Sequence, residues 1–150
     1  MTEVFFYHLQ SQPLEAALPT LVERSLERGW RAVVQMSSPE RLSALDAHFW
    51  TFRDDSFLPH APASEKGAAD QPVLLTTDEQ NLNGAAIRFL IDGALLPADS
   101  ANYQRIVLMF DGNDDDAAAA ARDQWKVAKA AGHTVTYWQQ DPAGRWQQKA

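Results

Sequence analysis

Between residues 72 and 110 the chain carries three short apolar runs separated by polar, turn-rich stretches: 72–76 (PVLLT), 86–91 (AIRFLI) and 105–110 (RIVLMF). They are too short for helices, and three such runs in succession read as strands covered on both faces. A sheet that is wet on neither side needs a helical layer above and below it. The remainder of the chain must therefore supply helices for two faces.

It does so in alternation with further strands. Residues 2–9 (TEVFFYHL), rich in β-branched and aromatic side chains, read as a first strand, 31–36 (RAVVQM) as a second, and 133–139 (HTVTYWQ) as a last one. After the first strand, Pro13 suits a helix start, Leu14, Ala17, Leu18, Leu21, Val22 and Leu26 recur at helical spacing, and Gly29 supplies a stop. Pro19 falls inside this pattern and is expected to kink the helix or push its start later. Ser38 and Pro39 provide a cap and a first-turn proline for a second helix that turns Leu42, Leu45, Phe49 and Phe52 inward. Asp111-Gly112-Asn113 reads as a turn. Asp114 to Asp116 then open a helix that reaches Ala131 and ends at Gly132. Residues 54–71 mix proline, glycine, alanine and charge, and read as a long surface loop of the mobile or functional kind. The order β-α-β-α-β-β-β-α-β predicts a three-layer α/β/α sandwich with a mostly parallel, right-handed, Rossmann-like sheet. At 150 residues, one domain over 1–150 is expected.

A fold of this class invites a nucleotide site, because glycine-rich turns after the strands let backbone N–H groups cradle phosphate. The turn after the first strand is Gln10-Ser11-Gln12-Pro13 and the one after the second is Ser37-Ser38-Pro39, so neither carries the glycines of a dinucleotide fingerprint or a P-loop. The four histidines (His8, His48, His60, His133) stand at no metal-ligand spacing and read as structural or surface residues; His60 is expected to pack or to cap a turn. Asp54 with Asp55, and Asp114 with its two neighbours, read as solvated or dipole-complementing carboxylates rather than acid/base or metal pairs. Cysteine is absent, which removes disulfide and thiolate chemistry. No catalytic residue, metal or cofactor is expected. A net charge of −7 disfavours direct, specific nucleic-acid binding. Residues 1–9 resemble no signal peptide and no run is long enough to span a membrane, so a cytoplasmic location without membrane contact is expected.

Two segments carry more than a fold requires. In 45–60 (LDAHFWTFRDDSFLPH), Phe49, Trp50, Phe52 and Phe57 give more apolar surface than one helical stripe uses. It forms either an internal aromatic cluster or a contact for a partner. Trp50 reads as mainly core, and Phe57, beside Leu58 and Pro59, as the exposed anchor. On the last helix Arg122, Lys126 and Lys129 fall at i, i+4 and i+7, with Trp125 beside them. This is a solvated basic face, or a groove in which cations hold carboxylates and Trp125 contains an apolar side chain. The second arrangement suits an acidic peptide that ends in an aromatic residue with a free carboxylate.

Both segments resemble the chi subunit family of the bacterial DNA polymerase III holoenzyme. Its members carry a Leu-Asp-x-x-Leu/Phe-Trp helix followed by a Ser-Phe-Leu/Val-Pro-His element, and a last helix with an Ala-Arg-x-x-Tyr/Trp-Lys pattern. Here these are Leu45 to Trp50, Ser56 to His60 and Ala121 to Lys126. The resemblance implies a non-catalytic replication adaptor with two contacts. Arg122, Trp125 and Lys126, with Lys129 nearby, would bind the acidic C-terminal tail of single-stranded DNA-binding protein. Trp50, Phe57, Leu58 and Pro59 would meet a psi-like subunit of the clamp-loader assembly, or a helicase-like partner. Where the family also has tyrosine this chain has Trp125, so that position offers no hydroxyl. The rival expectation is a small α/β enzyme or nucleotide binder with its site at the carboxyl ends of the strands.

Overall fold

The computed structural model describes residues 2–51 and 59–149. Eight strands and three helices follow in the order β1 (Glu3–Leu9), α1 (Leu14–Glu27), β2 (Ala32–Gln35), α2 (Pro39–Thr51), β3 (Ala61–Pro62), β4 (Val73–Thr76), β5 (Ile87–Leu90), β6 (Arg105–Asp111), α3 (Asp115–Ala130), β7 (Thr134–Gln140) and β8 (Trp146–Gln148). The strands form one sheet in the order β3-β4-β2-β5-β6-β1-β7-β8. β1 lies between β6 and β7 and is parallel to both, with Phe6 opposite Leu108 on one side and Tyr137 on the other. Among the described residues only the β7–β8 pair is antiparallel.

The two-residue period of the strands divides the apolar side chains between the two faces of the sheet, with two large cores and a small cluster of Val33, Ala68, Leu74 and Ala85. On one face Leu18 and Val22 of α1 and Leu45 and Phe49 of α2 pack against Val34, Leu75, Phe89 and Val107. On the other, Ala121 and Ala128 of α3 meet Val4, Phe6, Ile106 and Phe110. Neighbours Phe89 and Leu90 thus belong to opposite cores. This is the three-layer α/β/α arrangement that the apolar runs require.

Three details depart from the sequence reading. First, α1 begins at Leu14 and passes through a buried Pro19, so the proline does not displace its start. Proline cannot donate to the carbonyl of Glu15, four residues earlier. His48 of α2 fills the vacancy, its Nε2 lying 2.6 Å from that oxygen. Second, the stretch read as a surface loop is partly interior: His60, Ala61 and Ala68 are buried, and β3 pairs with β4 at the sheet edge. An edge strand tolerates Pro62, because one side of its ladder is unused. Third, β7 is not the last strand, since 146–148 return beside it as β8.

The run 86–91 also hides a cation. Arg88 is fully buried, and all its partners are neutral. Its Nε and Nη2 donate to Gln35 Oε1 (2.9 and 2.7 Å), Nη2 to the Asp78 carbonyl (2.6 Å), and Nη1 to the Gln80 carbonyl (2.9 Å) and the Tyr103 hydroxyl (3.0 Å). These bonds tie β2 and the 78–80 turn to β5, which explains how a charged residue survives in a strand covered on both faces.

Candidate functional site

The basic face of α3 is set by how this helix starts, stops and packs. Asp114 caps it: one carboxylate oxygen accepts from the amides of Asp116 (3.0 Å) and Ala117 (3.2 Å). The alanines after it cost little in helical form, and Gly132, at φ +84°, ends it. Because Ala121 and Ala128 point into the core, Arg122, Lys126 and Lys129 are turned outward and all are exposed. At ~100° per residue the three cations share an arc of about 60°.

Trp125 sits at the border between this face and the core. Its ring lies 5.4 Å from Phe6 and 5.9 Å from Tyr137, and the Lys129 ammonium stands 5.1 Å above it. The indole therefore serves the interior while offering an edge to the outer face. The structure brings Arg122, Trp125, Lys126 and Lys129 onto one side of the helix, as their spacing requires.

Sequence reasoning passed over the groups beneath this face. Tyr137 hydrogen-bonds through its hydroxyl to His8 Nδ1, and the two rings also meet Phe110. Burial raises the Tyr137 phenol above its ordinary value, and the positive charge of Arg122 offsets part of that rise. Burial lowers the His8 imidazole, with Asp111 opposing the shift. His8 Nε2 is buried without a partner and faces Gly112, where any Cβ would collide with the ring. Only pairing of β1 with β7 brings His8 and Tyr137 together, and no local motif announces it.

The aromatic segment behaves differently from expectation at one position. Trp50 is 49% exposed rather than core, because Phe49 takes the inward place, fully buried, and the next residue on a helix is rotated by about 100° away. Its ring leans on His60 at 4.4 Å. His60 itself is interior: its Nε2 lies 3.1 Å from the backbone oxygen and 2.9 Å from a carboxylate oxygen of Asp46, and its ring meets Phe49 edge-on. The packing role read for His60 is what the structure shows. Pro59 is half-buried; Phe57 and Leu58 lie outside the described residues. Trp50 is carried by α2, which packs on β3 and β4, whereas α3 packs on β6, β1 and β7 across the sheet. The two patches therefore stand on opposite layers.

The carboxyl ends of the strands, where the rival reading places a nucleotide, have a third character. Amides of Gln10, Ser11 and Gln12 converge at 3.1, 3.3 and 3.2 Å on one atom, the Oε1 of Gln140. Gln140 is buried and its amide nitrogen donates back to Gln12 Oε1 at 2.8 Å. In a dinucleotide-binding fold the turn after the first strand keeps such amides for phosphate; here a side chain occupies them. The start of α3 is likewise capped by Asp114 and followed by Asp115 and Asp116, which repel an anion. No group of three or more metal-ligating side chains occurs among the described residues. No helix among them is long and apolar enough to cross a membrane.

These features define an α/β protein with helices on both faces of a mostly parallel sheet, its first phosphate-binding turn filled from within. Residues 1–136 match the family model described as DNA polymerase III chi subunit, HolC, and the chain belongs to that family of DNA polymerase III subunits. Among similar proteins is the DNA polymerase III subunit chi of Pseudomonas aeruginosa (strain PAO1), 27% identical over 140 residues, which cover 90% of this chain and 94% of that protein. Another is the probable DNA polymerase III subunit chi of Rickettsia prowazekii (strain Madrid E), 24% identical over 106 residues, 71% of this chain and 62% of that protein.

Proposed function

We propose that this chain is a non-enzymatic adaptor of replication that joins the clamp-loader assembly to single-stranded DNA-binding protein. The basic face of α3 takes the acidic C-terminal tail of that protein, and the patch around Trp50 and Pro59, with Phe57 and Leu58, takes a psi-like subunit or a helicase-like partner. The observation that supports this most is the clustering of three exposed cations beside a half-buried indole in a protein of net charge −7. Guanidinium and ammonium groups hold carboxylates through charge-assisted bonds, and the Trp125 edge gives an apolar wall for a terminal aromatic side chain. Each tail contact is weak on its own. Many tails displayed along coated DNA raise the effective concentration, so avidity makes the linkage useful.

The placement of Trp50 on the opposite helical layer supports simultaneous engagement, since one partner leaves the other's surface free. The filled turn at Gln140 weighs against the nucleotide-binding alternative. Titration with a peptide ending Asp-Ile-Pro-Phe, followed calorimetrically, tests the reading. Arg122→Ala is expected to weaken binding about tenfold, the loss of one charge-assisted contact, while Trp50→Ala leaves peptide affinity unchanged and reduces recovery of a psi-like or helicase-like protein from native lysate. Unaltered affinity in Arg122→Ala, with the circular dichroism of the parent, defeats the tail assignment.

A further inference from the structure

A cleft of about 690 Å³ opens at the carboxyl edge of the sheet, between the starts of α1 and α3 and the turn after β5. Part of its lining is apolar: Leu14 from α1, Leu108 from β6, Ala117 and Ala120 from α3, and Leu95 from the turn. Leu95 is 59% exposed and stands at the lip, the most exposed large apolar side chain among the described residues. An aliphatic side chain held out in water beside a partly apolar cleft is uncovered surface that a partner of matching shape would bury.

The charges around the cleft decide which partner. Five carboxylates line it (Glu15, Asp92, Asp111, Asp114, Asp116) against one guanidinium, Arg41. Arg41 is already committed, binding Glu15 at 2.6 Å and Asp92 at 2.6 Å. Burial raises Glu15, yet its own backbone bond and Arg41 outweigh that and hold the carboxyl below its ordinary value, so it stays ionised. Asp111, Asp114 and Asp116 are exposed and have no cationic partner among the described residues. Asp111 and Asp114 accept amide bonds from Asn113 and from the first turn of α3, which hold these two carboxylates at the rim.

An anionic ligand is repelled here, and the amides that would receive it are occupied by Gln140 and Asp114. We infer that this cleft is a docking site for a protein segment in which lysines or arginines flank an aliphatic side chain, the aliphatic group seated against Leu95 and Ala120 and the cations facing Asp111, Asp114 and Asp116. The site is separate from the cationic face of α3 and opposite to it in sign, so it does not depend on the tail-binding reading. One helix then presents two recognition surfaces of contrary charge.

The test uses the full chain, isotopically labelled for amide NMR, with the peptide acetyl-Gly-Lys-Leu-Lys-Leu-Lys-Gly-amide as probe. Saturable shifts are expected at Leu14, Leu95, Ala117 and Ala120. The double variant Asp111→Asn/Asp116→Asn should weaken binding roughly fivefold, in keeping with two exposed ion pairs, and Leu95→Ser should weaken it comparably. Arg122→Ala should leave it unchanged. A control peptide with serine in place of leucine should bind several-fold more weakly. Equal binding of that control, shifts centred elsewhere, or cleft shifts caused by ATP instead of the peptide each overturn the inference. Parent-like spectra of the free variants exclude misfolding as the cause of any loss.

Discussion

The two ends of α3 make an instructive pair. Asp114 caps it and Asp115 and Asp116 stand in its first turn, while Arg122 at its middle and Lys126 and Lys129 beyond make its basic face. Both placements agree with the helix dipole, which favours anions at the start and cations at the end. The agreement is complete only at the start, where Asp114 also satisfies two amides that the helix leaves without partners. At the other end the dipole accounts well for Lys129, in the last turn, but Arg122 lies mid-helix, where the effect has faded. The acidic end is explained by the helix itself. The basic face is not explained that way, and Arg122 is its surplus cation.

The same contrast holds for the backbone around each end. Near the acidic end the amides of Gln10, Ser11 and Gln12 are taken by Gln140 and those of Asp116 and Ala117 by Asp114. Replacing Gln140 with alanine breaks that state most severely. It removes the shared acceptor of three amides in an exposed turn, where water takes over part of the bonding, and a loss of about 1–2 kcal/mol is expected by urea denaturation. Stability within a few tenths of the parent would mean that the turn is not held by this residue, and the rival phosphate site would regain ground.

A smaller effect separates cap from charge. Asp114→Ala should cost about 1 kcal/mol through loss of the cap, and Asp114→Asn, which keeps an accepting oxygen, only a fraction of that. If the two variants were equally destabilised, dipole complementation rather than capping would be the reason for the aspartate.

The slightest expected effect lies beneath the basic face. The His8 imidazole has its pKa depressed in the folded state by burial, below an ordinary value of 6.5. A depressed folded value means that the unfolded chain binds the proton more readily. Its contribution to stability is therefore fully present above 6.5 and is lost as the pH falls from there through the folded pKa. Melting temperatures measured from about pH 8 to about pH 5 should decline less steeply in His8→Gln than in the parent. Identical slopes would place the sensitivity on other groups.

Much of this molecule is legible from its residues. The apolar runs at 72–76, 86–91 and 105–110 became β4, β5 and β6, and the spacing of Leu18, Val22, Leu45 and Phe49 named the core of one layer. Ser38 caps α2 as its type foretells, and Asp114, read as complementing the dipole, also caps α3. The common face of Arg122, Lys126 and Lys129 follows from arithmetic on a helix. What failed was non-local. Pro19 was expected to kink α1 or push its start later, and the start stayed at Leu14; the group that meets the freed Glu15 carbonyl, His48, lies 33 residues from Glu15. Trp50 was read as core because one helical position decides between interior and surface, and Phe49 had taken it.

The sequence by itself determined the three helices, six of the eight strands and the charges along α3, because each depends on periodicity and end effects within a few residues. Only the tertiary structure decided that Gln140 would fill the turn after β1, that His8 and Tyr137 would meet under Trp125, and that Leu95 would overhang an acid-rimmed cleft. Those contacts join segments that the chain separates by tens to more than a hundred residues, as in the link from Gln10 to Gln140. They depend on which strand lies beside which, and no local preference encodes that order.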